Sequence, residues 1–163
     1  MLIRAFICSL IAGSLAGAAE KPQFETYPPI RSFEGKPARP RFATLGQRQF
    51  RTIIEDAVKQ GPNFAGHFRL VEWGCGTGCL SIAVVDVASG LVYDGPFGRL
   101  PRGSIYLGPP PDPDTTGLSF RPESRLLIAA GCPNWDKCGE YYYDWTGNRF
   151  KLILRTAIRA DGR

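Results

Sequence analysis

The sequence predicts an α+β protein that is mostly β, in which antiparallel meanders form an open or folded-over sheet and one N-terminal helix packs on it. Three observations predict this class. Only one stretch has helical periodicity, whereas short apolar segments separated by turn residues fill the chain from about residue 67 onward. Two groups of these segments resemble β-propeller blades, and a closed propeller needs about four blades.

Residues 1–19 have the composition of a secretory signal peptide. Arg4 precedes the apolar stretch AFICSLIAGSLAGA, which ends in small residues suited to cleavage after Ala18 or Ala19. An uncleaved anchor is the alternative, although the segment is short for a bilayer span. We therefore expect a periplasmic or secreted protein with no membrane span after cleavage.

The chain is mildly basic, with a formal net charge of +5 to which Arg4 contributes one unit. Basic residues gather in residues 20–43, a proline-rich segment that we expect to form an irregular arm. Nucleic acid is not an expected partner, since export removes the commonest targets and no basic motif interleaved with aromatic residues is present. The expected partner is another protein or an envelope component.

A single globular domain is expected over residues 44–163, beginning with a helix at about residues 46–60. Apolar residues recur there at helical spacing and form one stripe: Phe50, Ile53, Ile54, Ala57 and Val58. Gly61 followed by Pro62 predicts the end of this helix.

The strands are expected from about residue 67. HFRLVEW and LSIAVVDV flank a loop rich in glycine and cysteine, and LVYDG follows the turn ASG. After a long proline-rich loop, the second group is LSF, RLLIAAG, EYYYDW and RFKLILR, with TGN as a hairpin turn. Within EYYYDW, Tyr141, Tyr143 and Trp145 share the face expected to pack in the core, which leaves Tyr142 for the solvent face.

Four cysteines remain after signal cleavage: Cys75, Cys79, Cys132 and Cys138. In an exported chain an even count predicts two disulfides. We favour the pairs Cys75–Cys79 and Cys132–Cys138, because the partners are close in sequence. Chain entropy opposes this choice, since a local bridge stabilises by about 2 kcal/mol and a bridge between the two clusters by about 4 kcal/mol.

A redox pair and a four-cysteine zinc site are the alternatives for these residues. A thioredoxin-type pair lies at a helix N-terminus, whereas LSIAVVDV after Cys79 predicts a strand. A nucleotide-binding loop likewise needs a helix directly after its glycines. The strand predicted after Cys79 therefore also argues against such a loop around Cys75. The second cysteine spacing is wider than that of a usual zinc knuckle.

The stretch GPNFAGHFRLVEWGCGTGC resembles a group of small exported bacterial proteins that carry an NFAGHF-like segment before a WGCGTGC-like loop. The resemblance covers about the middle of the chain, together with the aromatic hairpin near its end. It implies export but no particular activity, since none is established for that family.

His67 is the single histidine and the one candidate for a catalytic residue. On a strand, His67 and Trp73 share one face while Glu72 points to the other, which argues against a dyad of His67 and Glu72. No GxSxG, HExxH or SxxK pattern is present, so no nucleophile is nominated.

The segment DPDTTGLSFRPE has the spacing of a calcium-binding loop, with Asp112, Asp114, Thr116 and Glu123 as ligand candidates. Thr116 departs from the usual Asp or Asn, and the preceding GPPP forbids the entering helix of an EF-hand. The same residues suit an acidic loop that leads into a strand. We therefore expect no metal and no cofactor.

The loop CPNWDKC presents Trp135, Asp136 and Lys137 between two cysteines, so its ordering entropy is lost before any partner binds. These three residues are the leading contact candidates, and His67 and Trp73 come second.

Together these features favour an exported binding module closed by disulfides and without catalytic activity: an inhibitor, an immunity protein or an envelope accessory protein. The alternative is an envelope enzyme, either a thiol oxidoreductase that uses Cys75 and Cys79 or a hydrolase that uses His67.

Overall fold

A computed structural model describes residues 20–107 and 117–157. The predicted signal peptide, residues 1–19, lies outside the described residues. The same is true of three calcium candidates, Asp112, Asp114 and Thr116. The predicted class is confirmed, since the described residues are mostly β and their eight strands form one open antiparallel sheet, neither a closed barrel nor a propeller.

The elements follow one another with short helices first and strands after them. A 3-10 turn, Phe24–Thr26, precedes helices α1 (Leu45–Gln49) and α2 (Arg51–Val58). The strands are β1 (Phe68–Gly76), β2 (Cys79–Asp86), β3 (Val92–Asp94), β4 (Ile105–Tyr106), β5 (Leu118–Ser119), β6 (Leu126–Pro133), β7 (Gly139–Trp145) and β8 (Phe150–Ala157). Among the described residues, no helix is both long and apolar enough to cross a bilayer.

The predicted helix forms, but it is divided at Phe50 (φ −104°, ψ 18°) into α1 and α2. The side chain of Gln47 is drawn into the protein, where it accepts from the Ala43 amide and donates to the Val92 carbonyl. The apolar stripe of α2 packs into the same core as Val92, with Ile54 and Val58 buried there against the sheet. Both helical segments are therefore anchored to the first strands of the sheet.

The sheet consists of two halves joined by β4. Its strand order is β1-β2-β4-β6-β7-β8, with β3 beside β2 and β5 beside β6. We call β1–β3 the first half and β5–β8 the second half. In the connecting strand, Tyr106 lies between Cys79 of β2 and Cys132 of β6.

The two halves fold over towards each other at β4. Starting at Cys79, which pairs with Tyr106, β2 extends to Asp86 in one direction along the strands. Strand β6 begins at Leu126, in the other direction, and reaches Tyr106 at Cys132. Both halves contribute side chains to one shared core, including Phe68, Leu70, Ile82, Val84, Leu127, Ala129, Tyr141, Tyr143 and Trp145. A second core lies on the opposite face of the first half, beneath α2. The first half is therefore covered on both faces.

The arm, residues 20–43, lies along the second half and across the end of the sheet farthest from β4. The Arg125 amide donates to the Tyr27 carbonyl at 2.8 Å, and the Arg41 amide donates to the Gly90 carbonyl at 2.7 Å. We call this end of the sheet, where the arm contacts Gly90 and Arg125, the arm end. Because its backbone groups bond to both halves, the arm connects them where β4 does not reach.

The arm also explains one difference from the sequence prediction. Tyr142, expected at the solvent face of β7, is buried. Lys21 of the arm bonds to the Glu140 carboxylate, which accepts a hydrogen bond from the Tyr142 hydroxyl at 3.1 Å. The face that alternation assigned to solvent is thus covered by a distant part of the chain.

Candidate functional site

The two predicted disulfides, Cys75–Cys79 and Cys132–Cys138, are confirmed. Their Cα atoms are 5.1 Å and 4.0 Å apart, respectively. In each bridge one residue is buried, Cys79 or Cys132, and the other is exposed. The local pairing that the sequence favoured is therefore the pairing in the structure.

The sheet geometry excludes one of the two crossed arrangements, the one that pairs Cys79 with Cys132. Cys79 and Cys132 lie on opposite sides of Tyr106, one strand apart from it on each side. Neighbouring strands are about 4.8 Å apart, so the two Cα atoms are separated by about 10 Å. A disulfide requires a Cα separation below about 7 Å, which rules out a bridge between these inner cysteines.

The same arrangement brings both disulfides to one place on the surface. We call this region the disulfide end, comprising residues 74–79, β4 and residues 132–139. Tyr106 lies at its centre, and the ring of Trp135 stacks on it with centroids 4.2 Å apart and planes inclined by 19°. A Cβ at Gly78 would lie 3.0 Å from the Tyr106 ring, so the first disulfide loop packs directly against this stack.

Trp135 combines exposure with an unfavourable backbone conformation. Its side chain is 65% exposed, and its φ is +62°, following Asn134 at +50°. Left-handed conformations cost about 1–2 kcal/mol for residues with a Cβ, and for a bulky aromatic residue they are rare. The surrounding structure must therefore impose this conformation.

Hydrogen bonds on Asn134 and the disulfide impose it. The Asn134 backbone amide donates to the Ser104 carbonyl at 2.9 Å, and its side-chain Nδ2 donates to the Phe97 carbonyl at 2.7 Å. The Trp135 amide donates to the Cys132 carbonyl at 3.1 Å. The loop is thereby fixed to the segment that precedes β4, and the Trp135 ring is held over Tyr106.

Charged side chains surround the stack. Asp136 and Lys137 are exposed on the same loop, as the sequence predicted for its leading contact candidates. The Arg155 guanidinium of β8 lies over the Tyr141 ring at 5.6 Å and donates to the Cys138 carbonyl at 3.1 Å. Protein contact surfaces commonly combine exposed aromatic side chains with a surrounding rim of polar and charged residues.

Trp73 does not join this site, although it lies on the strand that leads to Cys75. It is 8% exposed and packs against Phe50, with ring centroids 4.5 Å apart. Its side chain belongs to the core beneath α2. Burial removes Trp73 from the accessible surface.

His67 lies at the arm end and is 5% exposed. Its Nδ1 is 3.3 Å from the Arg31 carbonyl oxygen, and its Nε2 is 4.0 Å from Asp86 Oδ1. Burial lowers the pKa of His67, against the opposing effects of the Arg31 carbonyl and the Asp86 carboxylate. Burial thus favours the neutral form of the imidazole.

The contacts of His67 differ from those of a catalytic triad. The Ser89 hydroxyl donates to Asp86 Oδ2 at 2.8 Å, so the carboxylate lies between the hydroxyl and the imidazole. A triad needs the imidazole between the two. Asp86 instead accepts the Ala88 amide at 2.9 Å and organises the turn after β2.

Glu123, the fourth calcium candidate, is exposed in the turn before Ser124. Within residues 20–107 and 117–157, no three His, Cys, Asp or Glu residues are close enough together to hold a metal ion.

Sequence reasoning missed the central residue of the disulfide end. Tyr106 lies within the proline-rich stretch GPFGRLPRGSIYLGPPPDPDTTG, which separates the two predicted strand groups, although the pair Ile105–Tyr106 has the β-branched and aromatic composition of a strand. Two residues are too few to show an alternating pattern. The composition of this pair was the one available signal.

Comparison with known protein families, curated proteins and solved structures gives no match for this chain.

Proposed function

We propose that this protein is an exported binding module without catalytic activity, and that the disulfide end is its contact surface. The partner is another protein or an envelope component, as expected for an inhibitor, an immunity protein or an accessory protein. The observation that carries the proposal is Trp135, which is 65% exposed and held at a φ of +62°.

Two energetic penalties meet at Trp135, which supports a role beyond folding. The left-handed backbone costs about 1–2 kcal/mol. The exposed ring also leaves unused apolar area, whose burial would stabilise by about 25 cal/mol per Å². Strain of this kind at an exposed residue is typical of binding sites, because a partner regains the area and the loop loses little entropy on binding.

The disulfides support the location. Such bonds persist in non-reducing compartments and are rare in the cytosol. Together with the predicted signal peptide and the resemblance of GPNFAGHFRLVEWGCGTGC to small exported bacterial proteins, they favour the periplasm or the exterior of the cell.

The contacts favour binding over the enzyme alternatives. Strand β2, and no helix, follows Cys79, so the dipole that activates a thioredoxin-type thiol is missing beside this bridge. His67 is buried behind the Arg31 carbonyl rather than presented in a cleft.

The proposal is tested with Trp135→Ala and a matched control, Leu45→Ala, which removes an apolar side chain that is 79% exposed. Each variant and the wild type are immobilised in the same amount, incubated with native envelope extract, and their bound material is quantified by mass spectrometry. A partner retained by the wild type and the control should fall about tenfold or more with Trp135→Ala, the effect of a contact hot spot. Recovery of the wild type alone, or equal recovery with both variants, would contradict the proposal.

A further inference from the structure

A concave site lies between the two halves of the sheet, and its lining residues are outside the disulfide end. It is a groove of about 520 Å³ bordered by the end of β3 on one side and the β7–β8 turn on the other. Its charged and aromatic lining residues are Tyr93, Asp94, Arg99, Arg149 and Phe150. We call it the β3–β8 groove. Its volume lies in the range of small-molecule sites, about 300–1,000 Å³.

The acidic side of the groove is Asp94. One carboxylate oxygen of this residue, Oδ1, is buried and has no hydrogen-bond partner in the described part of the chain. Asp86, by comparison, accepts hydrogen bonds from two amides and a hydroxyl of its own turn. A carboxylate oxygen removed from water without a donor is unfavourable, and such groups are rare in folded proteins. Among residues 20–107 and 117–157, no basic side chain lies within 4.0 Å of the Asp94 carboxylate, so this residue gives the groove lining an uncompensated negative charge.

Two arginines line the groove: Arg99 in the loop after β3 and Arg149 in the β7–β8 turn. Both are exposed, and neither lies within 4.0 Å of a carboxylate among residues 20–107 and 117–157. Arg125 of the second half, by contrast, pairs with Asp144 at 3.2 Å. Guanidinium groups without a counterion suit a ligand carboxylate, which they bind through paired hydrogen bonds.

The walls between these charges are apolar and aromatic. Val92, Tyr93 and Phe150 line the groove, and Tyr93 and Phe150 also contact the Trp145 ring, with centroids 5.5 Å and 4.8 Å from it. The aromatic walls are thus fixed by the shared core. They suit an apolar side chain lying between two charged ends.

We propose that the β3–β8 groove binds a short peptide with free ends, whose amino terminus pairs with Asp94 and whose carboxylate pairs with Arg99 and Arg149. A single amino acid would fill little of the volume, whereas a peptide of two to three residues separates its charged ends and places side chains against the aromatic walls. No lining residue of the groove belongs to the disulfide end, so failure of either proposal leaves the other standing.

The test uses the disulfide-bonded protein and three related probes: the tripeptide alanyl-phenylalanyl-alanine, its N-acetyl form and its C-terminal amide. Binding is followed by the backbone amide NMR signals of the protein. The free tripeptide should give saturable shifts at Asp94, Arg99 and Phe150. Each blocked form should bind about tenfold or more weakly, because each loses one charge-assisted contact.

Variants then assign each end of the peptide. Asp94→Asn should abolish the preference for the free amino terminus, and Arg149→Gln should reduce the preference for the free carboxylate. Arg102→Gln is the matched control, because Arg102 is an exposed arginine of the loop after β3 and does not line the groove. Trp135→Ala should leave peptide binding unchanged.

Two results would overturn the proposal. One is the absence of saturable shifts with millimolar free tripeptide. The other is equal affinity for the free and the blocked forms in the wild type, which requires no variant and is unaffected by any folding defect.

Discussion

The two ends of the sheet are closed in different ways. At the disulfide end, the short strand β4 joins the two halves, and each disulfide closes a loop within one half. At the arm end, closure depends on hydrogen bonds from a segment without regular structure. The Ser124 hydroxyl donates to the Phe24 carbonyl at 2.8 Å, and the Ala38 amide donates to the Val87 carbonyl at 2.8 Å.

The difference determines which side chains remain free. Polar groups at the arm end are occupied by closure: Ser124 is fully buried, and His67 and Asp86 lie beneath the arm. At the disulfide end β4 joins the halves and the disulfides close the loops, and Trp135, Asp136 and Lys137 remain exposed. A covalently closed region can therefore present strained and exposed residues that a hydrogen-bonded region could not maintain.

The largest expected effect comes from breaking the arm end with Gly66→Ala. Gly66 has a φ of +82°, and a Cβ there would lie 2.0 Å from the Arg31 carbonyl oxygen. The left-handed backbone and the overpacking together should lower the free energy of unfolding by about 3 kcal/mol. Chemical denaturation measures this change.

Gly61→Ala provides the control for that prediction. Gly61 has a similar φ of +78°, but a Cβ added there would have no other atom within 4 Å. Its replacement should lower the free energy of unfolding by only about 1 kcal/mol. Equal losses in the two variants would mean that contact with the arm contributes nothing at Gly66.

A smaller loss is expected at the disulfide end when Cys132 and Cys138 are both replaced by Ser. A loop of this length contributes about 2 kcal/mol through chain entropy. The Cys75→Ser, Cys79→Ser pair should lower the free energy of unfolding by a similar amount. The Cys132–Cys138 bridge closes the loop that carries Trp135. Tryptophan fluorescence should therefore change more when Cys132 and Cys138 are replaced than when Cys75 and Cys79 are replaced. Unchanged emission would show that the Asn134 hydrogen bonds suffice to hold the ring.

Acid should weaken the arm end before the disulfide end. Burial lowers the pKa of His67, so above pH 6.5 the imidazole is neutral in both states and its contribution to stability is complete. As the pH falls below about 6.5, the unfolded chain binds a proton that the folded chain does not, and the free energy of unfolding decreases. The decrease ends once the folded state is protonated as well.

His67→Asn should remove this slope, since His67 is the single histidine. Denaturation curves at several pH values between about 5 and 7.5 measure it. Identical slopes in wild type and variant would show that burial of His67 has no effect on its protonation.

The smallest effect is expected for Trp135→Gly. Glycine adopts positive φ freely, which removes about 1–2 kcal/mol of strain, while the lost stack on Tyr106 contributes about 0.5–1.5 kcal/mol. The free energy of unfolding should change by less than about 1 kcal/mol. Trp135→Ala keeps the strain and loses the stack, so it should be the less stable of the two. The opposite order in thermal denaturation would contradict the strain at this position.

The sequence predicted those features that depend on local periodicity. Tyr141, Tyr143 and Trp145 all lie in the shared core, as their alternation indicated. The helix was predicted too, but its division at Phe50 was not, and neither was the hydrogen bond by which Gln47 of α1 reaches Val92, 45 residues away. Burial of Tyr142 likewise depends on where a proline-rich arm is placed, and no periodic pattern encodes that position.

In the candidate site too, features set by local sequence were predicted and features set by distant contacts were not. The exposure of Trp135, Asp136 and Lys137 was predicted from their short disulfide loop, which is a local feature. Pairing of β4 with both β2 and β6 was not predicted, because two residues carry no periodicity and their partners lie about 26 residues away on each side. Burial of His67 and Trp73 also results from distant segments, the arm and α2.

The position of the disulfides has a consequence for a chain that is cut. Each bridge closes within one half of the sheet, and neither joins the halves. Arg102 is exposed in the connection between β3 and β4. Cleavage there would yield two fragments, one with the arm, the helices and β1–β3 and the other with β4–β8, that share no covalent bond. The folded protein would become a heterodimer of its own fragments, and its melting temperature would depend on concentration.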